Sequence, residues 1–390
     1  MIEHFSVAAS ADGLTLAAML VLPEGVTGTA GASSASGATV ATDVAGASGA
    51  SGAAGAAVAS GATVATSATG PSGASSAAGA AAGGTGEGRS VSEGQAGPAA
   101  VEVAAKPEQR PRPKAIVQFV HGMCEHKERY EPTMNYLAEH GYACVIHDHR
   151  GHGASVKNAE DLGYMYKGGW RTLVEDIAVV NDWIHRRFPG TKIILFGHSM
   201  GSMAVRSYLK RHDDTVDALV VCGTPADNPA KGPGKALAWS LGQLKGWHYR
   251  SKLLQKLSFG AYNKPFEKEG WPAAWVCSDP KTLKDYHADP LCQYVFTANG
   301  FYNLLGLMQD CYSIKHWALR NPQLPVHFIS GAEDPCRGND SQFRQAVERM
   351  KQAGYTHVTS RLYPGMRHEL LNETRRAEVW DDILRYFDKI

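Results

Sequence analysis

Apolar residues in this chain gather in short runs, and the stretches between the runs carry a helical rhythm. "KAIVQFVHG" (114–122), "ACVIHDH" (143–149), "KIILFG" (192–197), "ALVVCG" (218–223), "PVHFISG" (325–331) and "VTSRLYP" (358–364) are short, β-branched and bounded by Gly, Pro or Asp. Such runs read as strands. Apolar positions at helical spacing recur over 171–188, 201–211, 339–353 and 373–387, which predicts amphipathic helices. Near-continuous apolar strands alternating with helices predict a mostly parallel α/β sheet covered on both faces. The opening "EHFSVAASADGLTLAAMLVLPEG" reads as a hairpin turning at Asp12-Gly13, which puts two antiparallel strands ahead of the parallel set.

Two intervals break the rhythm. Residues 26–100 are almost entirely Ala, Gly, Ser, Thr and Val, with charge only at Asp43, Glu87, Arg89 and Glu93. A segment so poor in large apolar side chains cannot offset its ordering entropy, which predicts a disordered tether or insert over 26–105. Residues 227–315 lack a clean strand and are rich in Leu, Lys, Tyr and Trp, including Trp239, Trp247, Trp271 and Trp275. Short helices and loops are expected there. Inserted after the sixth strand, they would form a cap over the carboxyl ends of the strands, where open α/β sheets bind ligands.

Charge narrows the function classes. The formal net charge is +1, which gives no electrostatic footprint for nucleic acid. No run approaches the roughly 18 apolar residues of a membrane span, and "MIEHFSVAASADG" lacks the basic and apolar regions of a signal peptide. The seven cysteines are scattered, without a C-x-x-C pair, so reduced thiols in a cytoplasmic protein are expected.

Chemistry enters at "KIILFGHSMGSMAVRSYLKR" (192–211), where a serine stands between two glycines as a strand gives way to a helix. The motif is either a tight turn or a nucleophile elbow. In an elbow the serine is strained, and the flanking Gly197 and Gly201 leave room where side chains would clash. A serine hydroxyl needs a base to take its proton, and partners should follow in the order Ser, Asp or Glu, His. Asp334 lies just after the strand "PVHFISG", with Glu333 beside it as the other acid. His368, in "GMRHELLNE", lies between the last strand and the last helix. Ser199, Asp334 and His368 therefore come in triad order on one rim of the sheet. The oxyanion hole is expected from the backbone amides of Met200 and of Met123, in "FVHGMCEHKERY".

The motifs "HGMCEHKERY", "HDHRGHGAS", "GHSMGS", "ISGAEDP" and "YPGMRHELLNE" resemble the α/β-hydrolase superfamily and, within it, the monoacylglycerol lipase and lysophospholipase group of serine aminopeptidase S33-type hydrolases. The resemblance covers the chain outside the insert. It implies an eight-stranded α/β-hydrolase sheet, the triad Ser199, Asp334 and His368, the oxyanion amides of Met123 and Met200, and a mobile lid. The chain then divides into an N-terminal hairpin of the core (1–25), the insert (26–105, between strands 2 and 3), core (106–226), cap (227–315) and core (316–390). The sequence departs from the group at Cys124, which stands where the group's H-G-x-G-E-H motif has a second glycine, and in the long insert.

The expected activity is hydrolysis of a carboxylic ester, a monoacylglycerol or lysophospholipid, through an acyl-enzyme on Ser199, with no metal or organic cofactor. The expected partner is a small, lipid-derived acyl ester, with transient contact between the cap and a lipid surface. A proline iminopeptidase-type enzyme, needing an acidic group such as Glu267, Glu269 or Asp279 in the cap, a small-acyl esterase and a non-catalytic scaffold are the other readings. His147, His149 and His152 lack the spacing of a zinc site, so structural roles are expected for "HDHRGHG", with Asp148 and Arg150 in hydrogen bonds. Cys124 and Cys336 flank the site as packing or redox-sensitive thiols, and Glu125 and Arg129 are expected to pair near its mouth.

Overall fold

The computed structural model describes residues 1–26 and 111–390. The tether expected over 26–105 therefore lies, apart from residue 26, outside the described residues. The strands are β1 (Ile2–Ala8), β2 (Thr15–Val21), β3 (Ile116–Val120), β4 (Ala143–His147), β5 (Ile193–His198), β6 (Ala218–Cys222), β7 (Val326–Gly331) and β8 (Val358–Tyr363). The helices are α1 (Glu131–Glu139), α2 (Trp170–Arg187), α3 (Met200–His212), α4 (Lys231–Lys245), α5 (Lys252–Phe259), α6 (Pro280–Ala288), α7 (Ala298–Cys311), α8 (Asp340–Gln352) and α9 (Arg376–Phe387).

All eight strands join one sheet in the order β1-β2-β4-β3-β5-β6-β7-β8. β2 runs antiparallel to β1 and β4, and every pairing from β4 through β8 is parallel. The α/β-hydrolase architecture expected from the sequence is the one observed. Strands β3 to β6 are buried along their whole length, which is why each reads as an unbroken apolar run rather than an alternation. Alternate residues of β5 serve opposite faces: Ile193 and Leu195 join the core under α2, α3 and α8, whereas Ile194 and Phe196 join the core under α1 and α9. Edge strand β1 is half exposed on one face, and Phe5 stacks on Trp183 of α2 with ring centroids 4.1 Å apart.

The order of the sheet sets the site. β3 lies between β4 and β5, so the chain leaves β3 toward one side and returns from β4 to the other. Such a reversal opens a crevice at the carboxyl ends of the strands. The loops after β3 and after β5 flank that crevice. Between β6 and β7 the chain carries α4 to α7. α4 packs on α7, and α7 also packs on α3, so the inserted helices rest on the core beside the helix that follows β5.

Candidate active site

Ser199 sits at the end of β5 and caps α3 with φ 52° and ψ −116°. That left-handed backbone is rare for a residue with a side chain. The flanking glycines make it possible: a Cβ on Gly201 would lie 2.0 Å from the Val120 carbonyl oxygen, and one on Gly197 2.6 Å from that of Gly201. The Ser199 amide donates to the Cys222 carbonyl of β6 at 3.0 Å, which ties the turn to the next strand. The result is a serine raised at the foot of α3, with the positive end of the helix dipole beneath it.

The histidine and the acid arrive from the ends of the next strands. His368 Nε2 is 2.8 Å from Ser199 Oγ, and His368 Nδ1 is 2.9 Å from Asp334 Oδ2. Asp334 is buried and is oriented by the Cys336 amide (2.8 Å, to Oδ1) and the Ser330 hydroxyl (3.3 Å, to Oδ2). All three predicted side chains come together in one hydrogen-bonded line, and Asp334 rather than Glu333 is the acid in it. An imidazole so bonded accepts a proton at Nε2 while the carboxylate fixes Nδ1–H and balances the charge that results.

Met200 is the first residue of α3, and Met123 follows His121-Gly122 on the loop after β3. Both line the same cavity as Ser199 and His368. The β3 loop presses on the elbow: a Cβ on Gly122 would lie 2.9 Å from Ser199 Cβ. Cys124, in place of the group's glycine, has φ 53°, so the loop holds a left-handed turn with a non-glycine residue. Its thiol donates to the Tyr294 carbonyl, from the segment before α7, at 3.3 Å. The loops after β3 and β5 are thus in contact with each other, and the β3 loop with the segment before α7.

Behind the elbow lies a charged pair that sequence reasoning missed. Glu125 accepts from His198 Nδ1–H at 2.9 Å, from Tyr130 at 3.1 Å and from the Gly122 amide. His198 Nε2–H donates to the His368 carbonyl at 3.3 Å. Both ring nitrogens of His198 thus face acceptors, an arrangement that favours the protonated ring. Burial alone would lower its pKa, but Glu125 holds it above the usual value; the same partnership, with Arg129, holds the buried Glu125 carboxyl below its own. The expected Glu125–Arg129 pair is present at 3.4 Å, but Arg129 spends its better bonds, 2.6 and 2.7 Å, on Glu369. Glu125 and His198 are 73 positions apart, and neither motif signals the other.

The histidines of "HDHRGHG" are buried packing groups among these strands. The His149 amide donates to His121 Nε2 at 2.9 Å, and His149 Nε2–H returns a bond to the His121 carbonyl at 3.0 Å. Asp148 binds Lys127 (2.9 Å) and the Ala154 amide (2.9 Å), and Arg150 binds Asp176 (2.7 Å) and Asp12 (3.0 Å). Cys124 and Cys336 are free, buried thiols, and burial pushes both well up, away from thiolate character.

Over Ser199 opens a cavity of about 600 Å³, within the range of small-molecule sites. Met203 of α3, Phe259 of α5, and Leu304, Leu305 and Met308 of α7 supply its apolar wall, and Trp275 packs on the His368 ring with centroids 5.0 Å apart. The covering segment is clasped to the His368 loop. Arg367 reaches Glu269 (2.9 Å) and the carbonyls of Ala274 (2.7 Å) and Cys277 (3.1 Å), and the Glu369 amide donates to the Val276 carbonyl at 2.8 Å.

Comparison with known proteins places the chain in a family. The family model described as serine aminopeptidase, S33, matches residues 111–375. A monoacylglycerol lipase of Mycolicibacterium smegmatis is 29% identical over 272 residues, covering 70% of this chain and 87% of that one. A monoglyceride lipase of Homo sapiens is 34% identical over 118 residues, covering 30% of this chain and 37% of that protein. Thus the match spans most of the bacterial lipase but little more than a third of the human one. A thermostable carboxyl esterase of Bacillus coagulans, solved with glycerol, has a TM-score of 0.71 at 20% identity, covering 100% of this chain and 98% of that one; at that identity the likeness is one of fold.

Proposed function

The chain belongs to the serine aminopeptidase S33 family of α/β-hydrolases and is a carboxylic ester hydrolase, and from that premise we propose that Ser199 attacks the ester carbonyl of a lipid-derived monoester, a monoacylglycerol or a lysophospholipid. His368, oriented by Asp334, takes the hydroxyl proton as the new C–O bond forms. The amides of Met123 and Met200 hold the oxyanion of the tetrahedral intermediate. His368 then returns the proton to the leaving alcohol, and water hydrolyses the acyl-enzyme by the same path. The observation that carries this reading is the Ser199–His368–Asp334 line, at 2.8 and 2.9 Å, beneath a cavity walled in part by Met203, Phe259, Leu304, Leu305 and Met308.

The lining supports an acyl chain rather than an amino terminus. Glu267, Glu269 and Asp279, the acidic groups an aminopeptidase reading would use, do not line the cavity. Glu269 is bound to Arg367, and Asp279 caps α6 through the Lys281 amide. Lys252 and Lys256, one turn apart on α5, do line it, which favours an anionic head group at the mouth. The covering helices, which we take as the cap, expose Trp239, Leu244, Leu253 and Leu257; exposed apolar residues beside lysines suit contact with an anionic lipid surface. Among the described residues no helix is long and apolar enough to cross a membrane. The buried free cysteines support a reducing, cytoplasmic setting.

The test is a substrate series, comprising p-nitrophenyl esters of rising chain length, monoacylglycerols, lysophospholipids and aminoacyl anilides, on wild type and Ser199→Ala. Medium or long acyl esters should be preferred, and Ser199→Ala should lose at least about 10³-fold in kcat. Turnover that survives Ser199→Ala sinks the mechanism. A preference for aminoacyl anilides sinks the lipase reading but leaves the triad standing.

A further inference from the structure

A second cluster of metal-ligating side chains stands apart from the triad, where the β3 loop meets the segment between α6 and α7. A ring nitrogen of His126, a carboxylate oxygen of Asp289 and the Cys292 thiol sulfur lie within 4.8 Å of one another. We propose that these three residues form a binding site for a divalent transition metal of the zinc type, and that the bound ion locks the cap to the loop carrying Met123.

The donor set argues for the class of metal. One imidazole, one carboxylate and one thiolate suit zinc or cobalt, whereas magnesium and calcium prefer oxygen alone. Around zinc, bonds of about 2.0 Å to nitrogen and oxygen and about 2.3 Å to sulfur place donors roughly 3.3–3.8 Å apart. The Cys292 sulfur must therefore move in by up to about an ångström and the His126–Asp289 pair, at 2.7 Å, open by roughly 0.6 Å, both of which side-chain rotation supplies. Asp289 and Cys292 already share a tight turn, in which the Cys292 amide donates to the Asp289 carbonyl at 3.0 Å and the Leu291 amide to Asp289 Oδ1 at 2.8 Å. Asp289 Oδ2 remains directed at His126, 2.7 Å from Nε2.

The surroundings fit a ligand histidine. His126 Nδ1 is 2.6 Å from Glu128 Oε2, and Lys127 holds the other oxygen of Glu128 at 2.6 Å. A carboxylate on the far ring nitrogen is the arrangement that orients metal-bound histidines and makes them more basic. The cations nearby are committed: Lys127 also binds Asp148 at 2.9 Å, and Arg129 binds Glu369. An ion pair between His126 and the carboxylates would join loop to cap without any metal. Such a clasp has no use for a thiol, however, and Cys292 is buried beside it and lines the substrate cavity. Metal bound there displaces the thiol proton and any proton on Nε2, puts a charge in the cavity wall and leaves a fourth position to water. Hydrolysis should slow, because the cap can no longer move away from the β3 loop.

Cobalt(II) titration of the full chain tests the site directly, since a cobalt–thiolate bond gives a near-ultraviolet charge-transfer band independent of activity. The band should saturate at one equivalent and be displaced by zinc. It should vanish in Cys292→Ser, need more than tenfold higher cobalt in Asp289→Asn and His126→Ala, and about tenfold higher in Glu128→Gln. It should persist in Cys336→Ser, which separates this site from the Asp334, Cys336 and His368 group, whose ligand atoms are similarly close. Circular dichroism melts identify which variants are folded. A wild-type protein without a saturable band, a band retained in folded Cys292→Ser, or a band lost in folded Cys336→Ser would each overturn the proposal.

Discussion

The loop after β5 and the loop after β3 solve the same conformational problem in different ways. Each leaves a buried parallel strand, each faces the cavity, and each holds a non-glycine residue in the left-handed region, Ser199 at φ 52° and Cys124 at φ 53°. Such a residue costs roughly 1–2 kcal/mol, so something must hold it there. At Ser199 the holding is local: Gly197 and Gly201 let α3 and β3 close on the turn, within distances no Cβ would allow. At Cys124 it is remote, through a thiol bonded to Tyr294, 170 positions further along the chain. The elbow is thus a property of the sheet, while the β3 loop depends on the segment before α7. Strain held by neighbours in sequence leaves a motif, and strain held by a distant segment does not.

The comparison predicts the largest damage where the local device is removed. In Gly201→Ala the new methyl would meet the Val120 and His121 carbonyl oxygens at 2.0 and 2.5 Å, both backbone atoms that cannot rotate away. α3 must shift off β3, taking Ser199 from His368. Folded yield should fall sharply, and whatever folds should lose at least about 10³-fold in kcat/KM, since displacing reacting groups by about 1 Å already costs 10²-fold. A Gly201→Ala enzyme with near-normal esterase activity would show that the elbow is not held by the glycine.

The β3 loop should instead fail first in acid. Beneath it lie His121, His147, His149 and His152, all fully buried. Burial, with repulsion from neighbouring histidines or from Arg150, lowers the pKa of His121, His147 and His149, and burial lowers that of His152; His147 and His152 fall to about 4. A histidine whose folded value lies below its unfolded 6.5 binds fewer protons when folded. Its stabilising contribution is therefore present above pH 6.5 and is lost as pH falls from 6.5 toward 4. By pH 5 each of the two contributes a loss of about 2 kcal/mol. The melting temperature should drop by on the order of 5–10 °C between pH 7 and pH 5. A melting temperature that stays flat over that interval would count against neutral, buried histidines.

Smaller effects separate the two loops most cleanly. Cys124→Gly removes the left-handed strain but also the thiol bond and some unfolded-state restriction, so stability should change by no more than about 1 kcal/mol. Cys124→Ala keeps the strain and loses the bond, and should be the less stable of the two. Both should retain activity within about tenfold, whereas Ser199→Gly, with the same backbone relief, should abolish it. Equal melting temperatures for the Gly and Ala variants would mean that Cys124 carries no strain.

The same distinction explains what was readable in the sequence. Strands β3 to β6 were legible because burial on both faces leaves contiguous apolar runs, β1 and β2 because Asp12-Gly13 marks their turn, and the half-exposed β8 only from its short run bounded by Pro364. Ser199, Asp334 and His368 stood out because each follows a strand at its carboxyl end. The interior of the 227–315 segment was not legible, since its helices are short and α4 and α7 take their place from packing on each other and on α3. Nor was the Glu125–His198 pair. His198 looks like a mere spacer in "GHSMG", and only the adjacency of β3 and β5 brings Glu125 to its ring. Arg367 gave no signal for the same reason: it binds the Glu269 carboxylate and the Ala274 and Cys277 carbonyls, 90 to 98 positions earlier in the chain.

The least disturbance is expected from the largest change to the chain, deletion of residues 28–98. The described residues stop at Val26 and resume at Pro111, and the two ends are neighbours: a Cβ on Gly25 would lie 3.8 Å from Pro111 Cγ. β3 begins at Ile116, so this junction is at its amino end, while Ser199 stands at the carboxyl end of β5, parallel to it. The length of β3 and β5 therefore separates the junction from the loops after both strands. The residues left between 26 and 111 after the deletion easily join two ends already in contact. Activity on the preferred ester should stay within about twofold of wild type, because the deletion joins two neighbouring ends far from Ser199. A folded deletion variant that lost its esterase activity would show that the segment acts on the site from the opposite rim, and the separation of the two ends of the sheet would no longer describe how this enzyme works.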